Sequence, residues 1–415
     1  GYDSSSSSEP NAVKPAKISI TLRNHVGKSV GKIDGEVDAS TAMVQATLSM
    51  QVLSNLLAQT PVNQHGQREI SIEFPRVDKV DTYSFKIPSY LQKIKEEKIT
   101  LSIKTPLGSL TIPTQAFINA NLSEQDHIQI QISRGNKIQL THEGKEGLVD
   151  HPLIAIEMTA RGKELRGDNL QAPVILGIPY EPNPNEEKEF EYLVVYQMDT
   201  QGSRKLIPQG KYDPEKRAIV VPVVQGGTYE IAYHHKTFED SNIIPWAQKA
   251  IEILASKGII NGTSQTKFTP EADITRGDFL LLLVKTLGLQ GEITNTFTDI
   301  DPTSYYYEAS NVAKSLGVAH GSLDNKFHPE EFITREDMMV LIHRSLSLTK
   351  QGEEEQDIEF MHNFEDKDEI SSYAMQSIEA MVKAGIVKGD GKTVRPKTNA
   401  TRAEVATILY RIYNK

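Results

Sequence analysis

The sequence predicts a multidomain chain: a β-rich N-terminal half, β-sandwich-like with one helix, followed by an all-α C-terminal body of three helix–loop–helix repeats. Two observations carry this. Before residue 236, apolar and polar residues alternate in many short runs, the two-residue period of strands with one buried face. Beyond it, a pattern of aromatic, glycine, proline and arginine residues returns three times at matched offsets. At 415 residues the chain also exceeds one ordinary core.

Residues 1–13 are Ser-rich and polar and read as a flexible linker. A first β-rich module spans 14–135. Its runs are Ile18, Ile20 and Leu22; Ile70, Ile72 and Phe74; Tyr83, Phe85 and Ile87; Ile99, Leu101 and Ile103; and Ile128, Ile130 and Ile132. Thr105-Pro106-Leu107-Gly108-Ser109 reads as a hairpin turn. Met43, Ala46, Met50, Leu53 and Leu57 fall at helical spacing, so one helix is expected there. A second β-rich module covers 148–236, with strands at 154–158, 174–178, 193–196 and 229–233.

The repeats occupy 237–290, 296–349 and 363–415, with an acidic insertion at 350–362. They begin Phe238-Glu239-Asp240, Phe297-Thr298-Asp299 and Phe364-Glu365-Asp366, and each continues to Trp246, Tyr305 or Tyr373. Glycines follow at 258, 317 and 385 and again at Gly262, Gly321 and Gly389. Each unit closes on Thr275-Arg276, Thr334-Arg335 or Thr401-Arg402, the arginines being 59 and then 67 residues apart. The threonines predict helix N-caps, with Asp278, Asp337 and Glu404 as their capping-box acids. A lone unit of this size cannot bury its apolar stripes, so the three should pack together.

The arginines resist a purely structural account. At the first helical position a cation opposes the helix dipole, so an anion should compensate it. One candidate is internal, an ion pair to Asp240, Asp299 or Asp366. The other is an acidic ligand gripped by the guanidinium fork. If a ligand is the answer, arginine-to-alanine changes should weaken binding and leave stability nearly intact. Trp246, Tyr305 and Tyr373 offer flat apolar faces with a polar edge, suited to sugar rings, or else pack in the core.

These motifs together resemble the S-layer homology family, over about Phe238 to Tyr413. The resemblance implies a pseudo-threefold trimer of repeats with grooves between neighbours. It implies non-covalent anchoring of a surface protein to secondary cell-wall polysaccharide, often pyruvylated, outside a bacterial cell. Its groove residues are Arg276, Arg335, Arg402, Trp246, Tyr305, Tyr373, Gly262, Gly321 and Gly389, with Asp240, Asp299 and Asp366 beside them. Other S-layer proteins are further candidate partners, and a protein-protein assembly module of an S-layer lattice is one alternative. Another is the anchoring tail of a larger secreted glycoside hydrolase. More loosely, Ile178-Pro179-Tyr180 and Leu193-Val194-Val195-Tyr196 resemble ZU5/UPA-like surface modules. The self-cleavage site of such modules has no counterpart in Val224–Tyr229, and the default role of the β-rich half is a spacer.

A formal charge of −10 disfavours nucleic acid, and no apolar run approaches the ~20 residues of a membrane span. The opening Gly1-Tyr2, without a visible signal peptide, reads as a mature or excised fragment. Cysteine is absent. No nucleophile elbow, P-loop, HExxH or dinucleotide fingerprint occurs. Asp299, Asp301 and Thr303 start like a calcium loop, but Ser304 and Ser310 stand where Gly and Glu are required. The expectation is a binding module with no enzyme activity, metal or cofactor.

Overall fold

The computed structural model describes residues 15–94, 98–135, 153–199, 201–349, 363–388 and 390–415. The 1–13 linker, the 350–362 insertion and Gly389 therefore lie outside the described residues.

Among the described residues, sixteen strands and eight α-helices follow in chain order. The strands are β1 (16–24), β2 (29–38), β3 (43–47), β4 (67–73), β5 (82–88), β6 (98–104), β7 (109–113) and β8 (127–134). They continue as β9 (153–160), β10 (163–164), β11 (174–179), β12 (193–198), β13 (204–207), β14 (211–213), β15 (218–223) and β16 (227–233). Helix α1 spans 50–59 and α2 184–188; the repeats hold α3 (245–256), α4 (276–287), α5 (307–315), α6 (335–348), α7 (375–383) and α8 (402–413).

The strands form one sheet. Its order is β13-β12-β16-β9-β8-β5-β3-β2-β1-β4-β6-β7-β11-β15-β14, with β10 on β9. Most pairs are antiparallel, but β3 with β5 and β4 with β6 are parallel. Buried residues from both arms of this ribbon, such as Ile132, Ile156, Leu110 and Leu176, share one core. The two arms of the ribbon thus pack against each other.

The fold-class expectation needs two corrections. The β-rich half is not two modules: β8 pairs with β9 from Ile128–Ala160 to Arg134–Ile154, and β7 pairs with β11 at Leu110–Leu176. Left alone, β7 and β8 would present unpaired N–H and C=O groups, and these pairings remove both edges. Nor is the C-terminal body an all-α trimer. Isolated β-bridges Thr275–Phe332, Thr334–Asn399 and Asp273–Thr401 join repeat 1 to 2, 2 to 3 and 3 to 1. The β-sheet packs directly against this body.

The expected helix from Met43 is also shorter than its stripe. Met43 and Ala46 lie on β3, where Val44 and Ala46 are buried. The helix starts only at Met50, because the Ser49 hydroxyl accepts the Val52 N–H at 3.2 Å.

All three repeats share one core, including Phe238, Phe268, Phe279, Phe297, Phe327 and Phe364. Thr275, Thr334 and Thr401 cap α4, α6 and α8 by accepting the N–H of Asp278, Asp337 and Glu404 at 3.2–3.3 Å. The first helix of each repeat ends at a left-handed glycine, Gly258, Gly317 or Gly385.

Candidate functional site

The three arginines start α4, α6 and α8, and each reaches across to the next repeat in a closed cycle. Arg276 Nε donates to the Phe327 carbonyl at 3.0 Å, Arg335 Nε to Val394 at 2.9 Å, and Arg402 Nε to Phe268 at 2.9 Å. The loops that offer these carbonyls are clamped by the Phe-x-Asp carboxylates. Asp240 accepts the N–H groups of Phe268 and Thr269, both at 2.8 Å. Asp299 takes those of Phe327 and His328, and Asp366 those of Val394 and Arg395. Both oxygens of each aspartate are thereby engaged by backbone. The internal ion pair expected between these aspartates and the arginines is not made; the aspartates shape the loops instead.

Two of the three arginines do meet a carboxylate, and it is one of the supposed capping acids. Arg276 Nη1 pairs with Asp337 at 2.9 Å, and Arg335 Nη1 with Glu404 at 2.6 Å. So the returning half of each capping box is given up for a contact between repeats. Tyr305 donates its hydroxyl to Asp278, and Tyr373 donates to Asp337 at 2.7 Å.

The junctions are unequal. Arg335 is 4% exposed and has lost the aromatic neighbour, Val394 standing where the other repeats have Phe. Burial pulls its pKa down, and Glu404 opposes that. Its neighbour Glu336 is also buried, and its carboxylate accepts from Lys397 Nζ at 2.6 Å and from Ser371. Burial raises the Glu336 pKa, but those donors outweigh it and hold the group ionised.

Arg402 differs. Its guanidinium lies 4.4 Å over the Phe268 ring, and Nη2 donates to the Asn261 carbonyl at 2.7 Å. Among the described residues no carboxylate comes within ion-pair distance of it. Burial lowers its pKa, with Asp278, Asp240 and Tyr305 acting in the other direction from farther off. Of Arg276, Arg335 and Arg402, it alone holds a charge answered only by neutral oxygens at short range.

All three helix-start aromatics are on the surface: Trp246 is 60% exposed, Tyr305 70% and Tyr373 59%. The core alternative for them is thereby excluded. Gly262 sits beside the carbonyl that Arg402 grips, in a space where a Cβ would come under 3.0 Å from the Ser264 and Lys267 carbonyls. Gly321 is looser, its nearest neighbour being 3.1 Å away in Asn325. Gly262→Ala is expected to cost about 1–3 kcal/mol and Gly321→Ala less, read as shifts in thermal unfolding of the two variants.

Sequence reasoning located the arginines and aromatics. It missed the loop carbonyls and the acids as partners between repeats. The signal for the acids was present: an acidic residue recurs two places after each arginine, at 278, 337 and 404.

The S-layer homology domain profile matches residues 237–280, 296–339 and 363–406. The chain carries three tandem S-layer homology domains. It is 28% identical over 293 residues to the amylopullulanase of Thermoanaerobacterium thermosulfurigenes, covering 69% of this chain and 15% of that protein. It is 33% identical over 172 residues to exoglucanase XynX of Acetivibrio thermocellus, covering 41% and 16%. To the surface-layer 125 kDa protein of Lysinibacillus sphaericus it is 25% identical over 175 residues, 41% and 14%. The chain thus spans under a fifth of the length of these relatives. S-layer homology domains belong to proteins held at the bacterial cell surface, and no helix among the described residues is long and apolar enough to cross a membrane.

Proposed function

We propose that this chain anchors a bacterial surface protein to an acidic secondary cell-wall polysaccharide, and that the Arg402 junction is the leading ligand site. Arg402 carries the reading. An arginine with two N–H groups committed to carbonyls and its charge unpaired at short range is preorganised for a carboxylate. A pyruvylated sugar supplies such a carboxylate, together with hydroxyls for loop carbonyls and ring faces for the exposed aromatics. Arg276 is a weaker candidate, because Asp337 already answers its charge, and Arg335 serves structure. Several contacts along one repetitive polymer add avidity.

The test is retention on purified wall sacculi before and after hydrofluoric-acid extraction of the polymer. Retention should disappear with the polymer; retention that survives extraction overturns the reading. Loss of one charge-assisted hydrogen bond removes about 1.5–3 kcal/mol. Arg402→Ala is therefore expected to weaken binding about tenfold or more, measured by depletion of the protein from sacculus suspensions. Arg276→Ala should weaken it less.

A second reading concerns the parent protein. Two relatives bear glycoside-hydrolase names and the chain covers only 15–16% of each. The anchor then serves a secreted glycoside hydrolase whose catalytic part lies elsewhere. A longer reading frame encoding such a domain is the deciding observation.

A further inference from the structure

The three junctions of the repeat cycle are held differently, and the difference points to the β-rich half. Junctions 1–2 and 2–3 have the ion pairs Arg276–Asp337 and Arg335–Glu404. Junction 3–1 has none among the described residues. It is also the junction between the repeats farthest apart in the chain, closed by packing of α3 against α8.

That same pair of helices is where the sheet docks. The two ends of the ribbon, β13 and β14, are joined by a corner at 208–210 that meets three helix C-termini. Gln209 Nε2 donates to the Lys285 carbonyl at 2.5 Å, at the end of α4. Lys211 Nζ donates to the Tyr413 carbonyl and lies 3.9 Å over the Tyr413 ring, at the end of α8. Tyr413 returns its hydroxyl to the Pro208 carbonyl at 2.5 Å. Lys257, capping α3 and 2% exposed, donates to the Gly210 carbonyl at 2.7 Å and the Leu193 carbonyl at 2.5 Å. Helix C-termini leave carbonyls unsatisfied and carry partial negative charge, so an amide and an ammonium are the complementary groups.

Glu191 makes a second link. It pairs with Lys249 of α3 at 2.7 Å and accepts the Tyr410 hydroxyl of α8. The glycines record the same contact. A Cβ on Gly258 would meet Leu206 at 3.1 Å, and one on Gly288 would meet Gln209 at 3.0 Å. At the equivalent Gly317 and Gly385 nothing lies within 4 Å. Only repeat 1 presents its helix-end glycine as a seat for the sheet.

We propose that the β-rich half is the positioning element of the Arg402 junction: Glu191 and the 208–211 corner staple repeat 1 to repeat 3, in place of an ion pair. Arg402 opens α8 and Tyr413 ends it, about 16 Å away at 1.5 Å per residue. Fixing one end of α8 against α3 fixes how Arg402 meets Phe268 and Asn261 at the other. The binding consequence rests on the anchoring reading above; the staple itself does not.

The experiment uses the full chain with Glu191→Ala and Gln209→Ala combined, Glu191→Gln as the conservative variant, and Arg23→Ala, which breaks a pair with Glu73 on β1 and β4, as control. Trp246, the only tryptophan, reports repeat 1 by fluorescence, and circular dichroism reports the strands. In the parent, both probes should show one coincident urea transition. The double variant should separate them, with the Trp246 midpoint moving down, and should bind sacculi at least about fivefold more weakly while still folded at 25 °C. Glu191→Gln should keep part of the binding, and Arg23→Ala should change neither readout. Independent transitions in the parent, or an unmoved Trp246 transition in the double variant, overturn the staple. A moved transition with unchanged wall binding overturns its positioning role. If the parent itself does not bind sacculi, the anchoring reading falls and the staple is judged on unfolding alone.

Discussion

Arg335→Ala is expected to lower unfolding stability by about 3–5 kcal/mol, the scale for removing one partner of a buried ion pair. Arg335 is 4% exposed and Glu404 is largely enclosed, so the variant leaves a carboxylate with only Arg395 nearby, at 4.0 Å. It also strands the Val394 carbonyl that Arg335 Nε satisfies. Urea unfolding followed by circular dichroism measures the loss. The paired change Arg335→Met with Glu404→Leu removes both charges and should recover most of it, since replacing a whole buried pair by apolar groups is often neutral. A loss below about 1 kcal/mol for the single variant would show that solvent reaches the pair. For Arg335 this expected loss departs from the sequence-based expectation that all three arginines can be truncated with stability nearly intact, and the same unfolding measurement decides between them.

The second large effect is a pair of opposed pH dependences. Glu230 is fully buried on β16; both carboxylate oxygens are without a hydrogen bond, and Arg204 stands 3.9 Å away. Burial pushes its pKa up to about 7 from 4.5, against the smaller pull of Arg204. Between those values the folded chain holds a proton that the unfolded chain has released, so its contribution to stability falls as pH rises. Burial lowers Lys257 to about 7 from 10.5, with Lys211 adding repulsion and Glu191 opposing; Lys211 itself is lowered to about 8 by burial. Here the unfolded chain holds the extra proton, and stability rises as pH climbs from 7 toward 10.5.

His320 and His343 have lowered pKa values, chiefly from burial, and act against Glu230 near pH 6. Each variant is therefore read as a difference from the parent at the same pH. Glu230→Gln should gain on the parent steadily from pH 5 to 8. Lys257→Met should lose ground to it from pH 7 to 9. Unfolding free energies at half-unit intervals decide both; a flat difference for either variant removes that group from the account.

The repeat pattern, the threonine caps, the left-handed glycines and most strands were legible in the sequence. Each is local: a period of 2 or 3.6, or a capping residue a few places from its helix, is set by neighbours along the chain. The identity of the site's partners was not. Arg402 grips Phe268 and Asn261, more than 130 residues away, and identical Thr-Arg motifs end in three different environments. Gly258 and Gly317 look alike in sequence, yet one seats Leu206 and the other faces open space. Charge pairing, burial and edge protection depend on which surfaces meet across long separations, and no local period encodes that. The recurring arginines were therefore determined by sequence alone, and only the tertiary structure decided that one of them keeps its charge available.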